Sequence, residues 1–118
     1  MPSSEILYFM GFFSNYNAIG RINALIKQLE PKLDYIAGEL QYPYSINKER
    51  LRVECGTVSV LMSEIADIIQ SSGRSVFLAP YYFKGKKMTI MDLHGIAASL
   101  VQQAEELLSL LSTKNGQG

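Results

Sequence analysis

His94 is the first candidate for chemistry, because it is the single histidine of the chain and Asp92 lies two residues before it. A histidine that acts as a base needs an acid to orient it and a substrate group within hydrogen-bonding reach. Asp92 could orient the imidazole, but no serine or cysteine stands next to the pair. The pattern is more typical of a polar residue in the first turn of a helix than of a catalytic base.

Cys55 is the second candidate and the only cysteine. A reactive thiol needs a lowered pKa, which Arg52, three residues earlier, could provide. A lone cysteine on a helix is more often a small apolar side chain that fills space in the core. Because it cannot form an internal disulfide, it favours a reducing compartment, and we predict a cytoplasmic location.

Metal and nucleotide sites are not indicated by any spacing of residues. A di-iron helical bundle needs two Glu-x-x-His motifs, and one histidine cannot supply them. Gly85 and Gly95 are isolated and begin neither a Walker nor a dinucleotide-binding pattern. We therefore expect no catalytic residue, no metal and no cofactor, and we interpret the chain as not an enzyme.

The segment that runs from Tyr81 to Lys87 is the most suggestive for binding. Exposed aromatic rings can stack on bases and lysines can contact phosphates. Against this, 11 basic and 11 acidic residues give a formal net charge of zero, which attracts nucleic acid weakly. The aromatic rings could instead pack on helices while the lysines protect a strand edge. The candidate nucleic-acid contacts are Tyr81, Tyr82, Lys84, Lys86 and Lys87.

Three apolar stripes with helical spacing form the body of the protein. The clearest runs from Leu93 to Leu111, with Thr89 and Asp92 resembling a capping box and Asn115-Gly116 as the stop. A second helix is predicted over about 47–71. An earlier helix begins near residue 14 or 15 and extends to about residue 40. It contains Pro31, which predicts either a kink or a break into two helices.

Between Arg74 and Met91 the residues are β-branched, aromatic or apolar on both sides of Lys84-Gly85. Two such runs around a glycine predict a β-hairpin, with an irregular loop as the alternative. Pro80 lacks an N–H group, so its strand should be an edge strand or carry a bulge. Gly56, inside the second helix, could mark a close contact between helices.

The N-terminal segment from Ser3 to Phe13 is apolar on every side and could be a helix or a strand. We favour a helix, because Ser3 and Ser4 can cap it and Glu5 suits a first turn. Such a helix must be covered by this chain or by another. Its apolar run is too short to span a bilayer. The candidate interface residues are Phe9, Phe12 and Phe13.

The length of 118 residues fits one domain, predicted over 1–113 with a flexible polar tail over 114–118. The predicted fold is mainly α: a three- to four-helix bundle with one β-hairpin inserted before the last helix. The predicted function is a soluble, non-enzymatic protein–protein interaction or oligomerisation module that presents apolar helix faces, as a homo-oligomer or with a protein partner. The alternative is a nucleic-acid-binding accessory subunit of a nucleoprotein complex that uses the Lys/Tyr-rich hairpin.

Overall fold

A computed structural model describes the backbone from residue 4 to residue 116 and the side chains of residues 15–112. The mainly α fold with a hairpin before the last helix is confirmed. Within the described chain the order of elements is α1 (Ser4–Gln41), a 3-10 turn (Pro43–Ser45), α2 (Lys48–Ser72), α3 (Arg74–Leu78), β1 (Tyr81–Phe83), β2 (Lys86–Met88) and α4 (Ile90–Gly116).

Helix α1 is one continuous element, so the predicted separate start near residue 14 or 15 is wrong. The N-terminal segment is helical, as favoured, and the helix continues through Pro31. Pro31 and Lys27, whose carbonyl the missing N–H would have bonded, are both exposed. Water can therefore satisfy that carbonyl, while Leu29 and Leu33 are buried on the opposite side.

Helix α2 begins and ends close to its predicted positions. The side chain of Asn47 caps it by accepting a hydrogen bond from the Arg50 N–H at 3.1 Å. Gly73, with φ of 104°, ends it and donates its N–H to the Ile69 carbonyl at 2.9 Å. Gly56 is exposed, and a Cβ there would meet no atom within 4 Å. Gly56 therefore marks no close helix contact with the described residues of this chain.

The segment after Gly73 forms a short helix, so the hairpin takes up only the later part of the segment between Arg74 and Met91 that was predicted to form it. Val76 is fully buried, and the Tyr81 hydroxyl donates a hydrogen bond to its carbonyl at 2.6 Å. The tertiary contact overrides the β preference of valine and phenylalanine here. The strand starts only after Pro80, consistent with proline at a strand's start.

The hairpin is tight, with Tyr81 paired to Met88, Tyr82 to Lys87 and Phe83 to Lys86. Lys84 and Gly85 form the two-residue turn with φ of 53° and 78°. Both values are positive, as a type I′ turn requires.

Helix α1 holds this turn in place. The Lys84 N–H donates to Glu30 Oε2 at 2.5 Å, and its ammonium group lies 2.6 Å from Asp34 Oδ1. The hairpin is therefore attached to α1 by polar contacts as well as by its buried aromatic rings.

Helix α4 begins with the predicted capping box. The Thr89 N–H donates to Asp92 Oδ2, and the Asp92 N–H donates to Thr89 Oγ1, each at 3.2 Å. The described part of the helix runs to Gly116 and includes both Asn115 and Gly116, so the predicted stop at this pair stays a prediction. It includes the first residues of the segment predicted as a tail, and residues 117 and 118 lie outside the described chain. The domain boundary at residue 113 stays a prediction.

The core lies where α1, α2 and α4 meet, and the hairpin closes one side of it. Each helix contributes side chains that are almost fully buried, which matches the predicted apolar stripes. The molecule is elongated, with extents of 72 × 26 × 18 Å. The most buried aliphatic side chains are Ile22, Ile26, Leu29, Leu33, Ile36, Leu51, Val58, Ile65, Val76 and Leu93.

Candidate interaction surfaces

An apolar groove runs between α2 and α4, and none of the α1 residues whose side chains the structure describes, 15–41, lines it. We call it the α2–α4 groove. Its wide end encloses about 470 Å³, which is within the range of ligand sites. Two polar side chains, Gln70 and His94, reach it. The lining residues are Met62, Ile65, Ala66, Ile69, Gln70, Phe77, Ile90, Met91 and His94.

A narrower stretch of about 330 Å³ continues this groove along the same two helices, and both stretches share Met62 and His94. Its lining is mixed, with small residues such as Ser59 and Ala98 beside the charged Glu105. The groove is therefore most apolar near α3 and the start of α4.

Several of the apolar side chains that line the wide end are exposed to solvent. Met91 is 69% exposed, and Met62, Ile69 and Phe77 are each partly exposed. Methionine adapts its flexible side chain to partners of different shape, which is why it is common at binding surfaces. Exposed apolar side chains that lie side by side make this part of the groove a candidate interaction surface.

The predicted interface residues Phe9, Phe12 and Phe13 belong to α1, but their side chains lie outside the described residues. The structure therefore gives the helical backbone at these positions and no contact that they make. Their role as an interface stays a prediction.

The two tyrosines of the hairpin point to opposite faces, as successive strand residues do. Tyr81 is 1% exposed, and burial raises the pKa of its phenol. Its ring is therefore not available to stack on a base. Tyr82 is 57% exposed and lies opposite Lys87, so these two share the outer face.

The three lysines of the hairpin also differ. Lys84 is engaged by Asp34, whereas Lys86 and Lys87 are exposed and form no ion pair among the described residues. Of the five predicted nucleic-acid contacts, Tyr82, Lys86 and Lys87 remain free to meet a ligand.

His94 and Asp92 are not arranged as a base with its orienting acid. Asp92 accepts a hydrogen bond from the Thr89 backbone in the helix cap, and no bond joins it to His94 in the described part of the chain. His94 is exposed and lies at the edge of the groove. It can give the groove a polar rim, but it lacks the partner that the catalytic interpretation required.

Cys55 is buried at 5% exposure, which agrees with its interpretation as a core residue. Burial raises the pKa of its thiol, and the carboxylates of Glu105 and Glu54 raise it further. The Arg52 guanidinium instead lies 3.7 Å from Glu49. The thiol is thus held in its unreactive protonated form.

A charged cluster between α1 and α2 was not foreseen. Glu54 is buried on α2, and its carboxylate lies 3.1 Å from Lys32 of α1 and 4.0 Å from Arg50. The Lys32 ammonium group lies close to Oε2 of Glu54, but the two do not have the geometry of a hydrogen bond. The contact is therefore an ion pair. The Arg50 guanidinium also lies 4.1 Å from the centre of the Tyr35 ring. The pKa of the Tyr35 phenol is raised, mainly because burial disfavours its charged form and secondly because the negative charge of Glu39 lies nearby.

Among the residues that the structure describes, no three His, Cys, Asp or Glu residues are grouped so that they could hold a metal. In the same part of the chain, no helix is long and apolar enough to cross a membrane. The distinctive surface of the described structure is therefore the α2–α4 groove.

Comparison with known proteins adds no family. No family model matches this chain, and neither a curated protein nor a solved structure is significantly similar to it. The class defined by the fold is a small helical bundle with a hairpin, and its function has to be argued from its surfaces.

Proposed function

We propose that this protein is a non-enzymatic interaction module that associates with a second copy or a protein partner through apolar helix faces. The observation that carries the proposal is the wide end of the α2–α4 groove, where apolar side chains from three helices face solvent. Covering such a surface removes apolar area from water, which favours association by about 25 cal/mol for each Å² that is buried.

Two properties of the chain support an association driven by apolar contacts. Its formal net charge is zero, so like-charge repulsion between copies is weak. Its single thiol is buried and unpaired, which suits the predicted reducing, cytoplasmic environment. Neither property requires a cofactor or a catalytic residue.

Light scattering on a sizing column tests the proposal, at low and high salt and over a wide range of protein concentration. We expect a dimer or larger species that persists at high salt, because apolar contacts are not screened by ions. A monomer under every condition would contradict self-association and leave only a separate protein partner.

The alternative of a nucleic-acid-binding accessory subunit rests on the outer face of the hairpin, with Tyr82, Lys86 and Lys87. The same experiment with a mixed oligonucleotide pool tests it. Binding through phosphate contacts weakens steeply as salt rises. A monomer that shifts onto the oligonucleotides at low salt would therefore favour this alternative over the apolar module.

A further inference from the structure

The wide end of the α2–α4 groove has the dimensions of a site for a short apolar helix. On α2 its lining extends from Met62 to Gln70, which is about 12 Å at the rise of an α-helix. Phe77 and Met91 form the other wall. Helices that bind in grooves insert side chains spaced three and four residues apart. The occupant of this groove should therefore be uncharged and apolar along one face.

Residues 6–13 of this chain have those properties. The eight residues, Ile-Leu-Tyr-Phe-Met-Gly-Phe-Phe, carry no charge. They belong to α1, and a helix of this length extends about 10 Å. Phe9, Phe12 and Phe13 are spaced three and four residues apart, which places their positions on one face. The segment matches the groove in length and polarity, and its aromatic residues have the spacing of helices that bind in grooves.

The groove and the segment lie at the same end of the molecule. The Asn15 side chain donates a hydrogen bond to Ser75 Oγ of α3 at 2.9 Å, and Phe77 of the same short helix lines the groove. The part of α1 that precedes Asn15 therefore lies at the end of the molecule where α3 and the wide end of the groove are found. Because α1 is continuous from Ser4, they cannot turn back into the groove of their own chain.

A second copy, related by a two-fold axis at this end, can present its segment to the groove of the first, and receive the first segment in return. We propose that two copies of this chain associate in this way, each inserting residues 6–13 into the wide end of the other's α2–α4 groove, with Phe9, Phe12 and Phe13 as anchors. This inference rests on the proposed function and names its partner and surface.

The area that such an exchange buries overlaps the range of stable dimers. A buried phenylalanine contributes about 150–250 Å², so the six anchors of a dimer bury about 900–1,500 Å². The groove walls add to this. Stable interfaces bury about 1,200–2,000 Å² in total.

Ala66→Arg tests the groove in the full chain. Ala66 is exposed and lines the wide end, so the substitution places a long charged side chain in the groove without altering the core. We expect the dimer dissociation constant, measured by sedimentation equilibrium, to rise at least about tenfold. The matched control is Ala24→Arg, at an exposed alanine that lines a polar groove between α1 and α2, and it should leave the constant unchanged.

The pair separates this inference from the proposed function. If the unmodified chain is a dimer and Ala66→Arg leaves it intact, the groove is not the interface, and the exchange is overturned while self-association stands. An equal effect of both variants overturns it in the same way. An unmodified chain that never dimerises overturns the exchange together with self-association.

Cross-linking identifies the segment that occupies the groove. Chains with Phe12→Cys and with Met91→Cys are mixed and oxidised, and Cys55 gives little background because it is buried. We expect a disulfide-linked dimer of the two variants. Leu110→Cys, at a position on α4 as exposed as Met91 but outside the groove, is the control and should give none. Disulfide between Phe12→Cys chains alone would show that the segments pair with each other, which overturns the exchange.

Discussion

The two flanks of α2 carry grooves of nearly equal size and opposite chemistry. The groove between α1 and α2 encloses about 460 Å³ and is lined by Arg21, Glu64, Asp67 and Ser71, together with apolar residues. The α2–α4 groove encloses about 470 Å³ at its wide end, and the described residues that line it include no Asp, Glu, Lys or Arg. Charged side chains remain hydrated at a surface. The groove between α1 and α2 is therefore suited to remain hydrated, whereas the α2–α4 groove is suited to bind an apolar partner.

The same contrast separates residues that hold the monomer together from those left over for a partner. Leu29 is fully buried between the helices, whereas Met91 is mostly in water. An apolar side chain stabilises the fold in proportion to the surface area that folding removes from contact with solvent. The exposed residues of the wide end should therefore matter for association much more than for folding.

The largest expected effect is on the buried side of this comparison. Leu29→Ala should lower the free energy of unfolding by about 2–5 kcal/mol, because it removes buried methyl groups and leaves a cavity. Met91→Ala should change it by less than about 0.5 kcal/mol in the monomer. Urea unfolding at a concentration where the chain is monomeric measures both. A comparable loss for Met91→Ala would mean that the groove residue supports the fold itself.

The next largest effect concerns the ion pairs of Glu54, which lie between α1 and α2. Glu54→Gln should cost about 1–3 kcal/mol, because it removes a buried charge that faces Lys32 and Arg50. The control is Glu49→Gln, whose carboxylate is 87% exposed and faces Arg52, with an expected cost below about 1 kcal/mol. Equal costs for the two variants would show that the Glu54 pairing is no stronger than a surface contact.

The smallest effect has the opposite sign. Gly56→Ala should stabilise the monomer by about 0.5–1 kcal/mol, because Gly56 lies inside α2 and a Cβ there meets nothing within 4 Å. Thermal unfolding of the variant and the unmodified chain at matched concentration measures the difference. A loss of stability at high concentration alone would place Gly56 in a contact between copies.

The N-terminal ends of α2 and α4 were predictable from sequence because their signals are local. Asn47 before α2, and the Thr89 and Asp92 box before α4, act through hydrogen bonds to backbone groups only three residues away. The hairpin turn at Lys84-Gly85 was found for the same reason. Alternation predicts that Tyr81 and Tyr82 face opposite sides, but it does not say which one is buried.

The groove and α3 were not predictable, because they depend on how distant elements meet. Val76 has a β preference, yet its burial and the hydroxyl of Tyr81 hold it in a helix. Ala66 and Met91 lie at the edges of apolar stripes, and only the packing of α2 on α4 decides whether such edges are covered. The pairing of Lys32 with Glu54 likewise joins residues of two helices.

Pro31 has a consequence for the mechanical stiffness of α1. Its missing N–H leaves one gap in the ladder of hydrogen bonds that would otherwise resist bending. Around this gap, Leu29 and Leu33 are clamped in the core, and Glu30 and Asp34 are tied to the hairpin turn. The hairpin turn therefore contacts α1 on both sides of Pro31. These contacts, together with the buried leucines, resist bending of α1 at the position where its own hydrogen bond is missing.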